Sequence, residues 1–216
     1  MAQAASAHDA RSGAAPALLA PMAGVLDGEP PMEAAGAGPP SDDAMLVPTE
    51  VREESTIPGA GRGRFVLRSV EKGEAIRRLR IGSPALRAFR SVEEIEAAFP
   101  RSDGGVQHVS HFGASAPPDV DWLREVVLVN GTAACLNHPP RGTEPNVRLE
   151  YRIEGGEQFR FLVAVRDIPA GGEMFVDYTQ WSEVPWFEEY LRSNGLQSAR
   201  GFAVGLGEPA RDAGTA

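Results

Sequence analysis

Apolar and charged side chains alternate from Val147 to Ile153: Val147, Leu149, Tyr151 and Ile153 interleave with Arg148, Glu150 and Arg152. A period of two marks a strand with one buried face. Glu154-Gly155-Gly156-Glu157 then supplies a hairpin turn, which predicts a returning strand over Gln158 to Val165. Upstream, Arg64 to Val70 and Glu74 to Leu79 read as two more strands joined by Glu71-Lys72-Gly73. His108-Val109-Ser110-His111 also falls in a predicted strand, and the stretch from Phe112 to Pro118 reads as a flexible loop. Helical signals are fewer. Ser91-Val92-Glu93-Glu94 has the spacing of a capping box ahead of Ile95, Ala98 and Phe99, with Pro100 as the stop. A second helix is expected through Trp186, Phe187, Tyr190 and Leu191, with Pro185 near its start and Gly195 just past its end. The pattern predicts a mainly β fold of several small sheets with short helices inserted.

Composition sets the limits of that fold. At 216 residues, with 42% hydrophobic and 24% charged side chains, the chain is long enough for one domain with a packed core. Residues 1–46 are rich in Ala, Gly and Pro, including Pro30-Pro31 and Pro39-Pro40, and are expected to form a disordered leader with at most a brief helix at Leu18-Leu19-Ala20. Residues 47–195 are expected to form the folded domain, and 196–216 a flexible tail. The net charge of −9 is concentrated at the start, where seven acidic residues face only Arg11 before position 51. Such a balance excludes a general phosphate-binding face, which argues against direct nucleic-acid binding, and it suits a basic peptide. Cys135 is the single cysteine, so an intrachain disulfide and a Cys-rich zinc cluster are both excluded. The apolar runs are shorter than a membrane span, and the N-terminus lacks the marks of a signal or transit peptide, so nucleus or cytoplasm is the expected location.

Three segments carry candidate chemistry. In Gly59-Ala60-Gly61-Arg62-Gly63 the alternating glycines allow left-handed backbone and close approach of a ligand. The third glycine is misplaced for a dinucleotide fold and no Gly-Lys-Ser/Thr follows, so by itself the stretch reads as a tight loop before a strand. Asn137-His138 lies before a proline-rich loop; Cys135 and His138 with His108 and His111 are of metal-binding type, but i and i+3 on a strand point to opposite faces, which argues against a metal site. Tyr178 ends Gly171-Gly172-Glu173-Met174-Phe175-Val176-Asp177-Tyr178 and, taken alone, reads as a strand tyrosine with a buried ring and a wet hydroxyl.

In this order and spacing the three segments resemble the SET-domain lysine methyltransferases. The likeness covers residues 50 to 190 and extends past each motif: Phe65 to Ile76 resembles the strand and Lys-Gly-Glu turn that follow the family's glycines, and Ala164 to Tyr178 resembles its closing motif. There are departures. The family's basic residue four places before the histidine is Ala134, Pro139-Pro140 follows Asn137-His138, Arg141 to Glu144 precede Pro145-Asn146 as an insertion, and one of the paired glutamates is Gly172.

The resemblance implies S-adenosylmethionine held by Ala60, Gly61 and Arg62 and by Asn137 and His138, and a C-terminal segment threaded beneath a loop. It also implies a catalytic Tyr178 and a lysine channel built from aromatics such as Trp181 and Trp186. The substrate implied is a lysine of a protein or peptide, with histone, and so chromatin, the commonest in the family. Lysine has a reference pKa of about 10.4, so neutralising it at pH 7 costs about 4–5 kcal/mol. An apolar channel beside a sulfonium lowers that cost, and a tyrosine hydroxyl orients the amine. The alternative is a SET-like module that binds peptide with weak or no turnover.

Overall fold

The computed structural model describes residues 43–116, 119–130, 134–182 and 184–205. In chain order its elements are β1 (Asp43–Met45), β2 (Thr49–Arg52), β3 (Gly63–Val66), β4 (Ala75–Arg80), β5 (Leu86–Phe89), α1 (Val92–Ala98), α2 (Gly105–Phe112), β6 (Gly113–Ser115), β7 (Val127–Asn130), β8 (Val147–Glu154), β9 (Glu157–Ala164), α3 (Pro185–Ser193) and α4 (Ala199–Gly205). The strands form a four-stranded sheet in the order β1-β4-β9-β8, a β2-β3 pair and a three-stranded sheet in the order β5-β7-β6. All of these pairings are antiparallel. The fold is mainly β, as the sequence pattern predicts.

The expected hairpin is the spine of the largest sheet. Glu154 pairs with Glu157, and Gly155 and Gly156 between them sit at φ 59° and 85°. Two successive left-handed residues make the turn whose twist matches paired strands, and glycine takes that conformation without a Cβ clash. The alternation of β8 is strongest at its start, where Val147 is 1% exposed, and fades toward the turn, where Ile153 is 58% exposed because the hairpin tip overhangs the core. In β9, Phe159 to Ala164 are all buried, as befits a central strand. Arg160 is among them; burial pulls its guanidinium down to about 10, and it donates to the Asn130 side chain.

The core has three main parts. Val47, Val66, Ile76, Leu162, Ile168, Met174 and Val176 pack under the candidate site. Phe89, Ile95, Val109, Val129, Phe187 and Leu191 join the helices to β5 and β7. Leu79, Leu86, Leu123 and Leu128 lie between the larger sheets.

Local signals place the helices as expected. Ser91 Oγ accepts the Glu94 amide at 3.3 Å, and the Glu94 carboxylate takes the Arg90 amide at 2.7 Å, one residue earlier than a strict capping box would have it. Pro185 opens α3 and Gly195, at φ 72°, follows its end.

Four expectations are corrected. His108 to His111 lie in α2 and not in a strand, because Val106 and Val109 bury themselves at helical spacing and a glycine at 105 lets the helix start against the Phe99 carbonyl, 2.2 Å from a would-be Cβ. The Phe112–Pro118 loop contains β6, which gains its order from pairing with β7. Order also begins before position 47, since β1 pairs with β4 and the Asp43 carboxylate grips Arg77 at 2.6 and 2.9 Å. At the other end α4 packs against the turn after Asp177 with Ala203 fully buried, so the segment from 196 is packed at least to 205. The brief helix expected near Leu18, most of the leader and residues 206–216 lie outside the described residues.

Candidate active site

The stretch from Glu173 to Tyr178 forms no sheet of its own; it is clasped by three segments distant in sequence. Glu173 pairs antiparallel with Phe65, Phe175 pairs parallel with Asn137, and Val176 pairs parallel with Val147. Its amides are shared out accordingly: Met174 N donates to the Arg64 carbonyl at 2.9 Å and Val176 N to the Asn137 carbonyl at 3.0 Å. Asn146 staples the same stretch with its side chain, Nδ2 donating to the Glu173 carbonyl and Oδ1 accepting from the Phe175 amide, both at 2.7 Å. An extended segment that meets its backbone partners on several sides is fixed in register, which a lone edge strand is not.

This pairing brings the glycine loop to Asn137. Gly59 and Gly61 take φ of 78° and 71°, and a Cβ on either would meet nothing within 4 Å, so the loop presents an open, nearly side-chain-free edge. Ala60 and Arg62 are exposed on it. Asn137 Nδ2 donates to the Arg62 carbonyl at 3.0 Å and also to Glu173 Oε1 at 3.0 Å. Gly63 is required for a different reason: a Cβ there would stand 2.2 Å from Glu173 Oε1. Gly172 likewise has no room for a side chain, since a Cβ would lie 2.9 Å from both Ile168 Cγ2 and the Pro169 carbonyl, which accounts for glycine where the resembled motif has a glutamate.

Tyr178 follows directly. Its amide donates to His138 Nδ1 at 3.2 Å, so that nitrogen is the acceptor and the neutral ring carries its proton on Nε2. Asp177, 3.9 Å from the same nitrogen, spends its Oδ1 on the Thr179 amide and hydroxyl at 2.9 and 2.6 Å, and so caps the turn that carries Tyr178. The Tyr178 hydroxyl donates to the Leu136 carbonyl. Burial pushes its pKa well above the ordinary phenol value, so it stays protonated at neutral pH. Trp181 stacks on its ring at 4.5 Å.

The structure thus brings together Arg62, Asn137, His138, Tyr178 and Trp181, with Ala60 and Gly61 on the adjoining loop edge. Trp186 is elsewhere. It packs with Phe187 on the helical core and donates its indole N–H to the Glu125 carbonyl at 3.3 Å. His108 donates its Nε2–H to the Asn130 carbonyl at 3.1 Å and stacks on Phe99. Among the described residues no group of three His, Cys, Asp or Glu side chains is disposed to hold a metal. Where the resemblance calls for a basic side chain, Ala134 has a methyl, and Arg64 Nε reaches the Ala134 carbonyl at 2.9 Å from β3.

Sequence reasoning passed over Glu173 and Asn146 as site residues. The only signal for either was its place beside a motif, because the groups they join lie tens of residues away. The chemistry of the donor set fits a sulfonium cofactor: an open glycine edge for its polar end, and a stacked Tyr178 and Trp181 whose faces attract a cation.

No family model matches the sequence, and no curated protein matches it. Among solved structures the chain is similar to SET-domain methyltransferases. Against the Chaetomium thermophilum Polycomb Repressive Complex 2 bound to GSK126, the match has 19% identity and a TM-score of 0.45, over 64% of this chain and 17% of that one. Against the same kind of complex in an autoinhibited conformation bound to S-adenosylmethionine, the values are 18% and 0.47, over 69% and 17%. Against the Neurospora SET domain protein DIM-5, a histone lysine methyltransferase, they are 19% and 0.42, over 62% and 52%. The chain therefore spans about a sixth of the length of the polycomb chains it matches.

Proposed function

We propose that the chain is a SET-domain enzyme that transfers a methyl group from S-adenosylmethionine to a lysine of a protein substrate. The observation that carries this reading is the meeting of the glycine loop, Asn137-His138 and Tyr178 around one threaded segment, each through hydrogen bonds of its own. Ala60, Gly61 and Arg62 with Asn137 and His138 would hold the cofactor, which supplies an activated methyl group when bound.

Tyr178 has a defined part in this reading. Its hydroxyl hydrogen is committed to the Leu136 carbonyl, so the oxygen is left as an acceptor for the N–H of an incoming amine. A phenol held protonated by burial orients that amine and does not act as its base. The lysine would give its ammonium proton to bulk water as it enters, since desolvation beside Tyr178 and Trp181 favours the neutral amine. In-line alignment then supplies most of the remaining rate. A histone tail is the proposed first substrate, because histone is the commonest substrate of the family the chain resembles.

The test is label transfer from S-adenosylmethionine to mixed histones and to a cell lysate, with Tyr178→Phe alongside. A labelled band that vanishes with the variant is the expected result. Cofactor binding with no label on any protein would instead favour a peptide-binding module, and absence of cofactor binding would overturn the reading.

A further inference from the structure

Glu173 is 4% exposed and has four neutral hydrogen-bond donors around its carboxylate. Oε1 accepts from Ser55 Oγ at 2.7 Å and from Asn137 Nδ2 at 3.0 Å; Oε2 accepts from the Thr56 amide at 2.6 Å and the Thr56 hydroxyl at 2.5 Å. Both donors on Asn137 are thereby committed, one to this carboxylate and one to the Arg62 carbonyl. Ser55 in turn closes the loop, since its amide donates to the Gly61 carbonyl at 2.6 Å and its hydroxyl accepts the Ile57 amide at 3.0 Å. The loop has little else to hold it. Pro58 to Ala60 and Arg62 are exposed, and its glycines contribute no packing.

We propose that Glu173 is the positioning residue of the cofactor loop: its carboxylate clasps Ser55 and Thr56 at one end and Asn137 beside the other, and so sets where the Gly59–Arg62 backbone lies. Gly63 belongs to the same device, because only a glycine lets the carboxylate sit against β3 at this depth. The four donors also keep the group ionised. Burial alone would raise its pKa, but the bonds from Thr56, Ser55 and Asn137 outweigh that and hold it below the usual carboxylate range. A carboxylate with neutral donors only has no cation to share its hold with, so each hydroxyl it loses is felt by the loop. The cofactor half of this inference rests on the proposed methyl transfer; the clasp itself does not.

The experiment uses the full chain in two arms. The first measures hydrogen exchange of residues 53–62 in protein without cofactor, for wild type, Glu173→Gln and the loop variant Thr56→Val, which removes a hydroxyl from an exposed residue and leaves the core alone. The second measures S-adenosylmethionine affinity by calorimetry and the KM against kcat for the same set. Faster exchange in both variants, with affinity and KM for the cofactor worse by about tenfold, the scale of one lost hydrogen bond to a charged group, and kcat at saturation held within about threefold, is the expected result. Unchanged exchange and unchanged affinity in Thr56→Val would overturn the clasp, as would a fall in kcat with affinity intact. Wild type that binds no S-adenosylmethionine would overturn the methyl-transfer reading and the cofactor half with it, while faster exchange in the variants would still establish the clasp.

Discussion

Around Phe187, helices α1, α2 and α3 meet β5 and β7 through side chains that are nearly all apolar, whereas around Glu173 three segments of chain meet through a carboxylate, two hydroxyls and an amide. The first region gains its stability from area and volume, which are non-directional and tolerate exchange of one well-fitting residue for another. The second gains position. Hydrogen bonds near 2.5 to 3.0 Å place the glycine loop, Asn137 and the threaded segment within a narrow range, as a reacting site requires. The difference predicts that the two regions fail in different ways when altered.

The largest effect on stability should come from the apolar side. Phe187→Ala removes a ring that is 1% exposed and should cost about 3–5 kcal/mol in urea unfolding. Protein that remains folded should bind S-adenosylmethionine as wild type does; a parallel loss of affinity would show that the two regions are not separable. Tyr178→Phe should show the reverse: a loss in methyl transfer of about 100-fold with a stability change of no more than about 1.5 kcal/mol, read by rate and melt on the same sample.

Asn146→Ala sharpens the comparison, since it strips two side-chain bonds from the threaded segment while leaving the apolar core untouched. The expected cost is about 1–3 kcal/mol in a thermal melt, from buried backbone groups left unpaired. Ser91→Ala, at a helix start remote from Tyr178, should cost about 1 kcal/mol and leave cofactor affinity unchanged.

Acid gives the smallest and most selective perturbation. The folded Glu173 holds its pKa below the unfolded value of about 4.3, so its contribution is present above that pH and is lost as pH falls through the lower, folded value. The stability gap between wild type and Glu173→Gln should therefore be constant near neutrality and narrow in acid below about pH 4.3. A gap that widened on acidification would contradict the hydrogen-bonded, ionised carboxylate.

Legibility in the sequence followed distance along the chain. The β8-β9 turn, the Ser91 cap and the Pro185-to-Gly195 helix were readable because each is decided within a few residues. The helix α2 was not, since a run of eight residues with two valines is too short to declare its period, and its start depends on Gly105 finding its place under Phe99. The motifs showed where the site lies, and Asn137, His138 and Tyr178 do converge. What joins them was hidden: Glu173 draws on partners 36, 117 and 118 residues away, and no local pattern reports that a carboxylate will face two hydroxyls from the loop after β2. Trp186 misled for the converse reason, because an aromatic near a motif in sequence is carried off by its helix toward a different core.

The threaded segment also has a consequence in time. Ser55 and Glu173 are 118 residues apart, so at a synthesis rate of about 5–20 residues per second the glycine loop leaves the ribosome roughly 6 to 24 seconds before its anchor does. Contacts of such long separation form late and slowly. The loop, β8 and the Asn137 segment must wait for the stretch from Glu173 to Tyr178 to arrive, and a nascent chain halted just before that stretch has two of the three motifs and no site at all.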